Sequence, residues 1–187
     1  LQAFEVFEDN YVKSDTATLV ITAKTGDIFT QRGLMLIEQL TEEMWLVDHT
    51  YRVSSLSNYQ YTQSQNDEIE TNYMIENAEA YTAADLKRIR QTALNEKRLI
   101  KQLITPDGKL SLIFANLNLP KNEANASISI TEKVEAIRDN YRNIYPEFQI
   151  DNGGSTAFNT TLARAVANDI TTLLPLSYLV IFIGLFI

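Results

Sequence analysis

The last stretch of the sequence, from Ile170 to Ile187, contains no Asp, Glu, Lys, Arg or His. Roughly 18 such residues in a row is the length at which a membrane-spanning helix becomes the default interpretation. The sequence therefore predicts a folded unit that runs into the start of a transmembrane span. The chain begins at Leu1 without an initiator Met or a signal-peptide pattern, and we expect it to be a piece of a longer protein.

Composition excludes several function classes. The formal net charge is -8 and no basic cluster is present, which argues against a nucleic-acid partner because phosphate binding depends on Lys and Arg. The chain has one His and no Cys, and it lacks a glycine-rich phosphate loop and an H-E-x-x-H pattern. We therefore predict no enzymatic activity, no catalytic residue, no metal and no cofactor.

The first third of the chain predicts a β-α-β unit. Residues 17–23, "ATLVITA", are a short apolar run typical of a buried strand. Apolar residues then recur at spacings of three and four over 29–47, with Thr30 as a plausible cap of the helix. Residues 48–58 predict a second strand. One face of that strand would carry Tyr51, Val53 and Ser55.

The middle of the chain is more polar. Residues 59–79 are rich in Gln, Asn, Ser, Asp and Glu, which predicts an exposed excursion without a core of its own. A helix follows, with Thr82 as its cap and Asp85 three residues later in a capping-box pattern. The inner face of this helix would carry Leu86, Ile89 and Ala93.

A β-hairpin is predicted over 98–118. Two apolar runs flank "TPDG", in which Pro106 presets the first turn dihedral and Gly108 can adopt a positive one. Beyond Pro120, a further helix is predicted and Pro146 would end it. Its inner face would carry Ile130, Val134, Ile137, Tyr141 and Ile144.

The strand "EFQIDNGG" then closes on Gly153 and Gly154, which permit a sharp turn into a last helix from about Ser155. The two units together predict an α+β fold, a ferredoxin-like split β-α-β sandwich with helices on one face of a sheet. We predict one domain over 1–154, with 59–95 as a decoration, and a helix over 155–187 that leads into the span.

Several segments in this order resemble a known family. They are "FEVFEDNYVKSD" near the start, "VSSLSN" at 53–58, "TPDGK" in the hairpin, "GG" at 153–154 and "NDITTLLPL" at 168–176. With them the chain resembles the loop between the first two spans of resistance-nodulation-division (RND) exporters, in the branch of hydrophobe and lipid exporters that includes the MMPL proteins. The resemblance covers nearly the whole sequence.

The resemblance implies a porter domain on the periplasmic side of the inner membrane, in an exporter of hydrophobic or lipid-like molecules driven by protons. The proton-relay acids of the family lie on a later span, so none is assigned here. Asp169 and Pro175 are candidates for a coupling acid and a functional kink, although both are also ordinary where a helix enters a membrane. Self-association or a periplasmic partner protein would also be compatible with this role.

Two other functions stay open. One is a membrane-tethered binding or docking module with a single C-terminal span. The other is a soluble dimer in which the apolar tail is packed. Among individual side chains, Trp45, Phe29, Phe114 and Phe148 could line a hydrophobic path, but their periodicity favours the core. His49 could act as a pH switch, although an exposed position beside Asp48 is favoured, and Glu42 and Glu43 are predicted on a solvated helix face.

Overall fold

The computed structural model describes residues 15–65, 68–120 and 125–185. In chain order its α-helices and strands are β1 (Asp15–Ala23), α1 (Gln31–Trp45), β2 (Thr50–Ser54), β3 (Gln60–Gln65), β4 (Glu68–Tyr73), α2 (Ala83–Asn95), β5 (Leu110–Leu117), α3 (Ala126–Ile144), β6 (Phe148–Gly153) and α4 (Gly154–Leu185). A short 3-10 helix, Ala78–Ala80, lies between β4 and α2. The α+β class predicted from the sequence is confirmed. The segment "FEVFEDNYVKSD" lies almost entirely outside the described residues.

The main sheet has four strands in the order β2-β5-β1-β6, and every neighbouring pair is antiparallel. Helix α1 connects β1 to β2, and β5 lies between those two strands. Helix α3 connects β5 to β6, and β1 lies between them. Each helical crossover is therefore split by a strand of the other unit. Strands β3 and β4 form a separate two-stranded sheet.

The hydrophobic core lies between this sheet and two helices. Helix α1 packs against β2 and β5, α3 packs against β1 and β6, and the two helices contact each other, so both lie on the same face of the sheet. The strands contribute alternate residues to that face and the helices contribute one stripe each. Fully buried examples are Leu19, Ile21, Ile113, Ala115, Leu36, Ile37, Leu40 and Ile150. Burial of each large side chain contributes about 1.5–3 kcal/mol.

Local signals at the helix starts are confirmed. The hydroxyl of Thr30 accepts a hydrogen bond from the backbone N–H of Gly33 at 3.0 Å, so this residue caps α1. Thr82 and Asp85 form the predicted capping box at the start of α2. Capping matters because the first backbone N–H groups of a helix have no partner within it.

The predicted strand over 48–58 is shorter than expected, and its alternation is interrupted. Thr50 pairs with Leu117 but Arg52 pairs with Asn116, so Tyr51 is an extra residue in a β-bulge. A bulge shifts the following side chains to the opposite face. Tyr51 is consequently 51% exposed whereas Val53 is buried, which corrects their predicted placement on one face.

The prediction of a strand in the first arm of the hairpin is wrong. Residues 98–105 contain turns and isolated bridges, and the N–H groups of Leu103 and Ile104 both donate to the carbonyl of Leu99. Lys101 has a φ of 66°, which reverses the chain before a strand can form. The "TPDG" turn itself is confirmed, with the N–H of Gly108 bonded to the carbonyl of Thr105 at 2.9 Å.

Two further corrections concern exposure and pairing. The polar segment 59–79 was predicted to be an exposed excursion, but Met74, Ile75 and Ala78 within it are buried in the core, and its strands pair as the antiparallel hairpin β3–β4. Ile144 was placed on the inner face of α3, yet it is the last residue of the helix and is 50% exposed.

Strand β6 forms one edge of the main sheet and is contacted by α3. From this helix, Arg142 Nε donates to the carbonyl oxygen of Ile150 at 2.8 Å, and Arg142 Nη2 pairs with Asp151 at 2.8 Å. The side chain of Arg142 thus ties α3 to the edge strand.

Candidate functional site

A cleft of about 850 Å³ lies beside β2, the other edge strand of the main sheet. It collects residues from α1, β2, the loop after β2, both strands of the small sheet, the 98–103 turns and β5. Its lining consists of Trp45, Arg52, Ser54, Ser55, Asn58, Tyr59, Gln60, Tyr73, Arg98, Gln102, Leu103 and Phe114. This volume lies within the range of small-molecule pockets.

The loop after β2 is held by its own side chains. Ser55 is buried, and its hydroxyl accepts from the backbone N–H groups of Ser57 at 3.1 Å and Asn58 at 3.3 Å. The amide of Asn58 donates to the carbonyl of Val53 at 2.8 Å. Thr41 Oγ1 on α1 donates to Ser55 Oγ at 2.9 Å. The "VSSLSN" segment therefore fixes one wall of the cleft against helix α1.

Aromatic side chains supply the apolar part of the lining. Trp45 is 47% exposed and Tyr73 is 46% exposed, while Tyr59 and Phe114 are half-buried. The prediction that Trp45 lies in the core is wrong. Trp45 is the last residue of α1, and its side chain points about 100° away from that of the buried Met44. The core positions of Phe29 and Phe148 are confirmed, since they are 5% and 4% exposed.

The charged groups of the lining are two arginines, Arg52 and Arg98, and the lining contains no Asp or Glu. Within the described ranges, neither guanidinium forms an ion pair with a carboxylate. Burial raises the pKa of the Tyr59 phenol, and the nearby Glu96 carboxylate adds to that effect while Arg98 opposes it. Tyr59 is therefore a neutral hydrogen-bonding group at physiological pH.

A second feature is the junction between β6 and α4. Gly154 has a φ of 92°, and a Cβ there would lie 2.4 Å from the carbonyl oxygen of Thr16. The hydroxyl of Ser155 accepts from the N–H of Thr16 at 2.8 Å, and Thr156 Oγ1 donates to the Thr16 carbonyl at 3.1 Å. The strand thus passes directly into the helix, without a linker. Of the two predicted turn glycines, Gly154 is required, whereas a Cβ on Gly153 would meet no atom within 4 Å.

The next turn of α4 is also anchored. Thr160 is buried, and its hydroxyl lies 3.0 Å from Thr131 Oγ1 and 3.1 Å from the Ser127 carbonyl oxygen on α3. Arg164 forms an ion pair with Glu135 of α3 at 3.2 Å. Beyond this point, the described side chains of α4 are exposed.

Helix α4 is long and apolar enough to cross a membrane, and it is the one such helix among the residues that the structure describes. Its apolar window is not buried against the rest of the chain. Asp169 is exposed on this helix, and the helix continues through Pro175. Since Pro has no N–H, the carbonyl of Thr171 lacks its usual partner within the helix. Neither predicted coupling residue lines the cleft.

The remaining candidates are peripheral. His49 is exposed, as favoured, in the turn before β2. Glu42 is exposed, whereas Glu43 is half-buried with Tyr141 Oη 3.5 Å away, so the solvated placement holds only for Glu42. Burial raises the pKa of Tyr141, and the Glu43 carboxylate adds to this shift. Over 15–65, 68–120 and 125–185, no group of His, Asp and Glu side chains is arranged to hold a metal ion.

No known family model matches the chain, and no curated protein matches it either.

The cleft could not be located from the sequence, because its lining comes from segments that are distant along the chain. The sequence marks Trp45 and Phe114 as possible path-lining residues, but nothing in it connects them to Arg52, Arg98 or Tyr73. The segment "VSSLSN", one of those in which the sequence resembles the exporter family, lies partly in the loop of the cleft wall, but its sequence predicted a strand there.

Proposed function

We propose that this chain is the periplasmic porter-type domain of a proton-driven exporter of hydrophobic or lipid-like molecules, of the RND superfamily and its MMPL-like branch, in the inner membrane. In this proposal α4 continues into a transmembrane span. The strand order β2-β5-β1-β6 with two split crossovers supports a ferredoxin-like porter arrangement. The sequence segments that resemble this family support the same assignment.

The observation that carries the proposal is the direct junction between the sheet and α4. Gly154, Ser155 and Thr156 all contact Thr16 of the central strand β1, so the start of α4 is fixed to the sheet. A change in the tilt of the membrane-spanning part of α4 would then be transmitted to the folded unit. Alternating access requires two arrangements of the domain, and this connection couples them to the membrane.

The cleft provides a place for the cargo outside the membrane. Its volume of about 850 Å³ and its aromatic lining suit an apolar or amphipathic molecule. The energy would come from proton movement through acids on other spans. In this scheme Asp169 lies at the membrane surface, and Pro175 provides a point at which α4 can bend.

The coupling is tested by inserting seven residues between Ala165 and Val166 in the full protein. A flexible insert, Gly-Gly-Ser-Gly-Gly-Ser-Gly, should abolish proton-dependent efflux of Nile red from loaded cells. Seven alanines are the matched control, because they add about two helical turns and keep the helix within about 20° of its original phase. The alanine insert should retain efflux. Equal efflux with both inserts would refute the proposed coupling.

The orientation is tested separately. These 187 residues contain no Cys, so Lys97→Cys, in a full protein whose cysteines outside them are replaced by Ser, introduces a single thiol at an exposed position. We expect a membrane-impermeant maleimide to label it in spheroplasts. Protection from the reagent until the cells are lysed would place the domain in the cytoplasm and refute the periplasmic assignment.

A membrane-tethered binding module is the second candidate function. It is supported by α4 itself, whose exposed apolar window would be sufficient to hold the folded unit at a membrane. In that case, ligand binding would persist, but Nile red efflux would be insensitive to a protonophore.

A further inference from the structure

The cleft combines two kinds of lining that a simple hydrophobic pocket does not need. Its apolar side comes from Trp45, Tyr73, Leu103 and Phe114. Its polar residues include two arginines, Arg52 and Arg98, and two glutamines, Gln60 and Gln102. A ligand that fills this space must therefore present both an apolar body and a polar group.

The charge of the lining indicates the sign of that polar group. The chain carries 24 acidic and 16 basic residues, yet the lining has two arginines and no carboxylate. The Glu96 carboxylate, outside the lining, is hydrogen-bonded to the phenol of Tyr59, so the two arginines leave an excess of one positive charge around the cleft, in a chain whose net charge is negative. Arginine also binds carboxylate and phosphate groups through two parallel N–H···O hydrogen bonds. These charge-assisted bonds are stronger than hydrogen bonds between neutral groups.

The positions of the two arginines are set by the backbone. Arg52 follows the bulge at Tyr51. Two residues further along β2, Ser54 lies opposite Phe114 in the sheet. Arg98 lies in the turns that follow α2, one residue before the buried Leu99. An anion bound in the cleft would offset the positive charge that these two residues bring to its lining.

Resting on the proposed function, we propose that the cleft binds an anionic single-chain amphiphile. Its carboxylate or phosphate group is held by Arg52 and Arg98, and its apolar chain lies against Trp45 and Phe114. The volume of the cleft lies within the range of small-molecule pockets and suits a ligand with a single apolar chain. The cargo class is thereby narrowed from lipid-like molecules to acidic ones.

Trp45 provides a direct assay, because it is the only Trp in the chain and it lines the cleft. The full chain in phosphatidylcholine nanodiscs is titrated with bromoundecanoate, whose bromine quenches tryptophan fluorescence at short range. Bromoundecanol is the matched neutral probe, with the same chain and the same bromine. We expect saturable quenching by both probes, with at least tenfold tighter binding of the carboxylate. Equal affinity, or quenching that does not saturate, would overturn the inference.

The arginines are tested together as Arg52→Gln with Arg98→Gln. This variant should bind bromoundecanoate at least tenfold more weakly and leave the affinity for bromoundecanol unchanged. Arg88→Gln is the matched control, since Arg88 is paired with Asp85 on the surface and does not line the cleft. If the double variant fails to fold, the comparison of the two probes on the unmodified chain still decides the question.

The outcomes separate this inference from the proposed function. Proton-dependent efflux of Nile red without any preference for the carboxylate would overturn the acidic cargo class alone. A clear preference for the carboxylate without proton-dependent efflux would overturn the exporter and leave an anion-binding module.

Discussion

Helices α3 and α4 both contact the sheet and each other, but they relate to water in opposite ways. Helix α3 buries Ile130, Val134 and Tyr141 against the core and presents charged residues on its outer face. Helix α4 buries Thr156 and Thr160 and then exposes a succession of large apolar side chains. These are Phe158, Leu162, Val166, Ile170 and Leu173, followed by the apolar end of the helix.

The difference teaches that two helices can be attached to one sheet by different forces. Burial of an apolar stripe fixes α3, so its position depends on the exclusion of water. Close backbone contact and hydroxyl hydrogen bonds fix the first turns of α4. The rest of α4 gains nothing from packing in the described structure, and its stability depends on the medium around it.

The largest expected effect is at the junction. Gly154→Ala combines a positive φ with a close contact to the Thr16 carbonyl, and it should lower the free energy of unfolding by about 3 kcal/mol. Urea unfolding of the full chain in detergent micelles, followed by Trp45 fluorescence, measures this. Gly153→Ala is the neighbouring control and should change stability little, since its Cβ enters open space. Equal losses for both variants would contradict the anchoring role of Gly154.

A pair of identical substitutions then compares the two helices directly. Val134→Ala on α3 removes a side chain that is 2% exposed and should cost about 2 kcal/mol. Val166→Ala on α4 removes one that is 51% exposed and should cost less than about 0.5 kcal/mol in micelles. The same urea experiment reports both values. A cost at Val166 as large as that at Val134 would show that α4 is packed against another surface.

A smaller effect concerns the hydrogen bonds between α3 and α4. Thr160→Val leaves the volume nearly unchanged and removes the bonds to Thr131 and Ser127, so it should cost about 1 kcal/mol. Thr161→Val is the control, because Thr161 is exposed and its hydroxyl bonds only within α4. Thermal unfolding followed by circular dichroism would distinguish them. Identical melting temperatures would mean that the buried hydroxyl contributes nothing.

The smallest effect is electrostatic, at the end of α3. Arg32 hydrogen-bonds Glu147, which lowers the pKa of that carboxyl. The contribution to stability is therefore complete above the unfolded-state pKa of about 4.3 and is lost as the pH falls through the lower folded-state pKa. Melting temperatures measured on lowering the pH should fall less steeply for Glu147→Gln than for the unmodified chain. Parallel curves would contradict this assignment.

Local chemistry explains which parts of the fold were predictable. Thr30, Thr82 and Asp85 act on backbone groups a few residues away, so their roles as caps follow from the sequence. The core periodicity of α1 and α3 is equally local. The bulge at Tyr51 was not predictable, because it depends on the pairing of β2 with a strand that is distant along the chain.

The hairpin and the cleft show the same limit. The apolar residues of 98–105 predict a strand by composition. The left-handed backbone at Lys101 instead reverses the chain, and apolar side chains of this segment pack in the core. Strands β3 and β4 pair through their backbones, and their sequences are polar. The sequence therefore shows no alternation of apolar residues from which these strands could be predicted. Trp45, Arg52 and Phe114 share a site only because three separate elements meet beside β2.

The contact between Arg142 and the edge strand β6 bears on how copies of the chain behave at high concentration. An open strand edge offers unpaired carbonyl and N–H groups that can template pairing with another molecule. Arg142 already occupies the carbonyl of Ile150 and places a bulky charged group beside Asp151. A second strand would have to displace that group before it could add to the sheet. Arg142 on α3, rather than a residue of the strand itself, therefore protects the β6 edge of the sheet against edge-to-edge aggregation.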